Sequence, residues 1–282
     1  NEDEVDNEQT IPATIWGQLL HELFHDFYVE IEKKNLDFNN VNHHEELKTQ
    51  LHKIGKHVFD SYKKEKFEWQ IKEILLFGNK TIKGLLDLFW EQECNTNLPL
   101  EKRKLEHPFT ISIKDKENQP LQIKGKIDLV LESDHNNMFV IGDYKTGKAV
   151  PSSADIKEFR SLQLSIYQYA FQKEFEGKES SGAFIYQVHD QYRCDKHVLA
   201  CTEKGKSNIF NLGRKRPFLI SPEFFDALED HLLHLRNNII NGKFSPDSAE
   251  IVPHMEGKRT QICSYCPYSY TCTYEHRFEG GF

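Results

Sequence analysis

LQIKGKIDLVLESDHNNMFVIGDYKTG, residues 121–147, is the stretch whose reading decides the fold. LQIKGKIDLVLE alternates apolar and polar residues over much of its length, and MFVIGDY is a short apolar run; Asp, His and two Asn lie between them. The pattern predicts a β-hairpin whose loop is longer than the tight two-residue type. Asp128 interrupts the first strand between Ile127 and Leu129, and Asp143 and Lys145 close the second. Alternation puts Asp143 and Lys145 on one face and Tyr144 on the other. Gly125, Gly142 and Gly147 leave backbone room around these charges. A single strand-end ion pair is worth little. Two carboxylates and an ammonium gathered at adjacent strand ends cost desolvation energy unless something uses them, and a divalent cation is the simplest user.

The chain around this hairpin has 282 residues, is 38% hydrophobic and carries 20 Phe and 11 Tyr, which suits one large core or two smaller ones and excludes a disordered protein. No apolar run approaches membrane-spanning length and no signal peptide is visible, so a cytoplasmic protein without a membrane partner is expected. The chain opens on NEDEVDNE and not on Met, as a piece of a longer protein would. A net charge of -8 argues weakly against a general polyanion binder, but phosphate contacts depend on where cations cluster. Lys204, Lys206, Arg214, Lys215 and Arg216 form the most basic patch, either a phosphate track or an ordinary solvated loop.

Residues 1–10 read as a flexible lead. From Ile11 the chain turns periodic: Trp16, Leu19, Leu20, Leu23, Phe24, Phe27 and Ile31 mark the buried stripe of a helix. Residues 36–100 read as a mostly helical insert in which the pattern from Phe67 runs on through Trp90, and His43, His44, His52 and His57 read as solvated. EHPFTISI, residues 106–113, predicts the first core strand. After the hairpin, DIKEFRSLQLSIYQYAFQKEF predicts one amphipathic helix, and GAFIYQVHD a strand parallel to its predecessor through that crossover. A last helix is framed by Ser221 as cap, Pro222 in the first turn and Gly242 as stop.

G-x-x-D at Gly125–Asp128 followed by D-x-K-T-G at Asp143–Gly147 resembles the PD-(D/E)xK nuclease superfamily, in particular its RecB-like branch. Two further motifs stand in that branch's order: G-x-x-x-H-x-x-[LF] at Gly17, His21 and Phe24, and Q-x-x-x-Y at Gln163 and Tyr167. The resemblance implies that His21, Asp128, Asp143 and the Tyr144 carbonyl hold Mg²⁺ or Mn²⁺. It also implies that Lys145 positions or activates the attacking water, while Gln163 and Tyr167 organise Lys145 and the substrate phosphate. It favours His21 over His25, and an imidazole ligand would favour tolerance of Mn²⁺. Glu106 matches an acid that often precedes the first strand in the family. It either reaches the metal through water or is a surface acid at a strand edge.

Cys263, Cys266 and Cys272 lie within ten residues of one another. Thiols so clustered, in a chain without secretory features, are poor candidates for disulfides. Zinc would want a second C-x-x-C or a His pair, whereas a third Cys with one distant partner suits a [4Fe–4S] cluster. The arrangement is similar to the C-terminal end of AddB-type nuclease subunits and of CRISPR-adaptation nucleases, whose fourth cysteine lies upstream of the His21-type helix. No Cys precedes Cys94 here. The fourth ligand lay in a missing segment, or Cys94, Cys194 or Cys201 substitutes, or the cluster is absent.

The expected fold class is therefore α/β: a restriction-endonuclease-like mixed sheet flanked by helices, with a helical insert and a C-terminal cysteine-containing lobe. Residues 11–282 are expected to be one nuclease domain, divided into a helical part (11–100), a catalytic core (101–190) and a C-terminal helix with the cysteine lobe (191–282). The expected function is that of a Mg²⁺- or Mn²⁺-dependent deoxyribonuclease, an exonuclease domain of a DNA repair or recombination helicase–nuclease, with DNA and a helicase module or subunit as partners. The competing reading is a non-catalytic DNA-binding or structural domain of the same fold. No G-x-x-x-x-G-K-[ST] loop is present, so an ATP-driven motor would lie elsewhere.

Overall fold

The computed structural model describes residues 11–64, 67–94, 102–133, 137–147, 150–189, 193–208 and 216–243. Helices α1 (Ala13–Lys33), α2 (His44–Tyr62), α3 (Phe67–Phe77) and α4 (Leu85–Cys94) come first. Strands β1 (Lys102–Lys114), β2 (Pro120–Ser133) and β3 (Met138–Lys145) follow. Helices α5 (Ser153–Lys157) and α6 (Gln163–Glu174) lead to β4 (Glu179–His189) and β5 (Arg193–Cys201). Helix α7 (Glu203–Asn208), strand β6 (Phe218–Leu219) and helix α8 (Phe224–Ile240) complete the described chain. No helix among the described residues is long and apolar enough to cross a membrane.

The strands lie in sequence order in one six-stranded mixed sheet. The β2–β3 hairpin is antiparallel, β4 joins β3 in parallel, β5 returns antiparallel and β6 pairs parallel with β5. This mixed sheet with flanking helices is the expected α/β class. A parallel neighbour needs a long crossover, and α5–α6 supplies it.

Alternation along β3 assigns its side chains to two layers. Tyr144 turns toward α1, where it stacks on Phe24 at 5.0 Å and on Tyr186 of β4 at 5.7 Å, and Phe24 stacks in turn on Phe89 of α4 at 4.3 Å. Phe139 serves the other layer and meets Phe171 of α6 at 4.7 Å. Trp16, Leu19, Leu20, Leu23, Phe24 and Phe27 of α1 are buried, as their spacing requires.

Five local readings change, the last helix among them: α8 begins at Phe224, beyond the expected cap Ser221 and first-turn Pro222. The helix expected over residues 155–175 is two, because Phe159 adopts a left-handed φ of 54° that no helix accommodates. Ser152 and Asp155 form a capping box that starts α5, and Gln163 becomes the first residue of α6. The apolar pattern from Phe67 to Trp90 is likewise cut at Gly78, with φ 73°, where a bridge to Lys83 turns the chain between α3 and α4. The first strand starts four residues earlier than expected, at Lys102. Finally, three of the histidines read as solvated are half-buried and partnered. His43 accepts from the Asp37 amide, His44 bonds Phe38 O at 2.8 Å and abuts Trp90, and His52 lies 3.4 Å from Asp87.

The chain forms two compact units. The first, up to Ser112 and from Gln122 to Leu228, holds the helical layers and most of the sheet. In the second, which joins Ile113–Leu121 to the chain from Glu229, Arg236 Nη1 meets Asp115 Oδ2 at 3.1 Å.

Candidate active site

The hairpin register runs from Ser133↔Met138 to Leu129↔Gly142, and one further step sets Asp128 opposite Asp143. There the Tyr144 amide donates to the Asp128 carboxylate, Oδ2, at 3.3 Å. The two acids thus stand side by side on adjacent strands, Asp143 near the end of β3 and Asp128 inside β2, not at the strand end that the sequence pattern predicts.

Gln163, placed at the first turn of α6, ties the group together. Its Nε2 donates to Asp143 Oδ1 at 2.8 Å and to the Tyr167 hydroxyl at 3.0 Å, while its Oε1 accepts from Lys145 Nζ at 2.8 Å. Tyr167 lies one turn further along α6, edge-on to Phe109 at 5.7 Å. Phe109 also covers Gly125, where a Cβ would fall 2.7 Å from its ring. Lys145 Nζ is 2.8 Å from Asp143 Oδ2, an ion pair by distance. That buried oxygen nevertheless has no hydrogen-bond partner, because the pair lies outside hydrogen-bonding angles.

From the other layer, α1 delivers His21, whose Nδ1 is 3.7 Å from Asp128 Oδ2 and whose ring meets Tyr144 edge-on at 5.6 Å. His25, one turn on, is paired to Asp26 at 3.0 Å. Glu106 of β1 joins His21 and Asp128: one ligand atom of each lies within 4.8 Å of the others. The three line a cleft of about 980 Å³, together with Gly17, Glu22, His25, Tyr62, Lys126 and Thr146. Lys126, on which the sequence drew no attention, sits two residues before Asp128 on β2, where alternation alone would have put it on the same face.

A divalent cation fits these residues on three grounds. Asp143 Oδ2 is a buried acceptor without a hydrogen bond. Burial, and then the Asp143 charge, push the Asp128 carboxyl up to about 7, a burden that a cation would relieve. The donors are carboxylate oxygens and one imidazole, a set that Mn²⁺ accepts and Mg²⁺ tolerates.

Behind Tyr144 lies a second polar group. Glu93 of α4 accepts hydrogen bonds from the hydroxyls of Tyr28, at 2.9 Å, and Tyr186, and Lys196 of β5 stands 3.7 Å away, over the rings of Phe184 and Tyr186. Burial pushes the Lys196 ammonium pKa down and those of the Tyr28 and Tyr144 hydroxyls up.

Cys263, Cys266 and Cys272 lie outside the described residues, as do Arg214 and Lys215 of the basic patch. Of the substitute ligands considered, Cys194 and Cys201 are packed in the core, where burial raises both thiols and disfavours the thiolate a cluster needs. Cys94 is half-buried at the end of α4. Lys204 and Lys206 each have an acidic partner, Glu179 and Glu203.

The chain matches the model of the PD-(D/E)XK nuclease superfamily over residues 2–273, and it belongs to that superfamily. Within it, the chain is 27% identical over 209 residues to an ATP-dependent helicase/deoxyribonuclease subunit of Thermoanaerobacter sp. (strain X514), covering 57% of this chain and 18% of that protein. The corresponding helicase/deoxyribonuclease protein of Clostridium acetobutylicum is 22% identical over 322 residues, covering 94% of this chain and 27% of that protein. The chain thus spans about a quarter or less of the length of these relatives. The crystal structure of SSO0001 covers 67% of this chain and 66% of its own, at 16% identity and a TM-score of 0.33.

Proposed function

We propose that this chain hydrolyses DNA phosphodiester bonds in a divalent-cation-dependent reaction, as the exonuclease part of a helicase-coupled DNA repair or recombination assembly. The observation that carries the reading is the hydrogen-bonded chain Lys145–Gln163–Asp143 beside Asp128. Membership of the nuclease superfamily supports the reaction class, and the names of the two relatives support DNA as substrate and a helicase as partner.

Asp128, Asp143, His21 and the Tyr144 carbonyl would hold the ion. When bound, it supplies Lewis-acid charge at the scissile phosphate and acidifies the attacking water. Lys145 orients that water and offsets the charge that grows on the phosphate oxygens. Gln163 aims Lys145 by accepting a hydrogen bond from its ammonium and anchors itself on Asp143, and the Tyr167 hydroxyl completes the grip on the phosphate side. Cys263, Cys266 and Cys272 are read as ligands of a [4Fe–4S] cluster, to be checked by iron analysis of anaerobically purified protein.

Asp143→Ala should abolish cleavage while leaving the far-UV circular dichroism spectrum and oligomeric state unchanged; persistent metal-dependent cleavage by that variant would overturn the assignment. Exonuclease action predicts degradation of linear but not circular single strands. Binding of DNA in Ca²⁺ with no cutting after Mg²⁺ or Mn²⁺ is supplied would instead indicate a non-catalytic DNA-binding domain.

A further inference from the structure

Tyr62 is the last residue of α2, one turn past the buried Val58 and Phe59, so its half-buried ring carries that apolar stripe to the surface. The ring comes out in the cleft that His21, Asp128 and Glu106 also line. Its hydroxyl donates to Glu22 Oε2 of α1 at 2.7 Å, and Glu22 is the chain neighbour of His21. That bond restrains the ring from a second helix. It also pushes the hydroxyl pKa up, so the ring stays uncharged beside a polyanion.

The charge of the cleft decides what such a ring can do. Among the described residues that line it, Lys126 is the one cation, against Glu22, Glu106 and Asp128. Lys126 is itself paired with Glu106 at 2.8 Å. A divalent cation would bring this lining to neutrality and no further. A groove that tracks nucleic acid by its phosphates gathers cations, and one that lacks them must hold the strand by its bases. Tyr62 is the one Phe, Tyr or Trp among the described lining residues. Both cleft imidazoles are engaged, His21 near Asp128 and edge-on to Tyr144, His25 at Asp26. Ala13 and Gly17, one turn apart on α1, line the cleft with little side chain and leave it room for a base. Stacking on a tyrosine ring accepts any base and needs no counter-charge.

We propose that Tyr62 is a base-stacking platform: an unpaired base of the substrate strand lies on its ring, aimed by Glu22, while a neighbouring phosphate is presented to the acids. This rests on the nuclease reading above and adds to it a residue that grips the strand.

The test compares two end-labelled oligonucleotides of equal length, bound by the purified chain in Ca²⁺ without cleavage. One is made of thymidines, the other of stable abasic tetrahydrofuran units with the same phosphates. Wild type should bind the thymidine strand more tightly by at least about fivefold, the lower bound for one stacked base. Tyr62→Leu keeps an apolar side chain at the margin of the core. It should bind the thymidine strand about 5- to 150-fold more weakly than wild type, yet bind the abasic strand equally well and with the same salt slope, since no phosphate contact is lost. Tyr62→Phe keeps the ring and should keep most of the preference. On the unaltered chain, a strand carrying 5-iodouracil should crosslink at Tyr62 on irradiation.

A wild-type chain that binds both strands equally would overturn this inference. Weaker binding of both strands alike by Tyr62→Leu would make Tyr62 a structural tie between α1 and α2 and overturn it too. So would a loss in Tyr62→Phe equal to that in Tyr62→Leu, or crosslinks confined to other residues. Each of these leaves the nuclease reading standing where wild type cuts DNA in Mn²⁺. A wild-type chain that binds neither strand and cuts nothing would overturn both.

Discussion

Asp128 carries a heavy electrostatic demand in this fold. Burial and the neighbouring Asp143 charge push its carboxyl up to about 7, against roughly 3.9 for an aspartate in an unfolded chain. Between those values the native state holds a proton that the unfolded chain has lost, so the metal-free protein should lose stability as pH rises from about 4 to about 7 and level off above. Urea unfolding in chelator should show this slope, and Asp128→Asn, which cannot ionise, should flatten it. Mn²⁺ must displace the same proton, so its affinity should rise with pH up to about 7 and then plateau. An affinity flat across that range would show that Asp128 is not a ligand. The pairing of Asp128 with Asp143 was readable from strand period and hairpin length. The kink at Glu106, whose backbone φ is 49° within β1, was not, because a left-handed residue inside a strand leaves no local mark in EHPFTISI.

At the scale of elements, two glycines near the site behave in opposite ways. Gly142 of β3 sits under Phe184, and a Cβ there would lie 2.7 Å from the ring and 3.1 Å from Leu129. Gly142→Ala should therefore destabilise the β3–β4 pairing by about 1–3 kcal/mol. Gly17 of α1 faces Thr146 across an ordinary 3.5 Å contact, so Gly17→Ala meets no obstacle and should stabilise the helix by up to about 1 kcal/mol. Urea midpoints of the two variants, moving in opposite directions, check the packing of both elements. The helices themselves were largely visible as apolar stripes at a 3.6-residue period. The break between α5 and α6 was not, since the stripe continues across Phe159. The Ser152–Asp155 capping box marks only where the first and shorter of the two helices, α5, begins.

Across the whole first unit, Glu93 links α1, α4, β4 and β5 through Tyr28, Tyr186 and Lys196. Removing it takes the carboxylate away from a buried ammonium and from two buried hydroxyls, so Glu93→Ala should cost about 3–5 kcal/mol, and Lys196→Met should restore part of that loss. Paired urea titrations of the single and double variants would show it, and additive losses would mean the two side chains do not interact. No sequence pattern announced this group, for its members lie on four separate elements and each looks like an ordinary core tyrosine or surface charge. The hairpin, its acids and lysine, the helical stripes and the α/β class were determined by the sequence alone, because period and spacing are local and survive in any tertiary context. Which histidine of α1 reaches the acids was also legible, though only by resemblance, since His21 and His25 share one helical face. The convergence of Glu106 and Lys126 on that site, and the bond that Gln163 makes to both Asp143 and Lys145, were decided only when helices docked on the sheet: contacts between distant segments depend on the register and backbone twist of strands that no single stretch encodes.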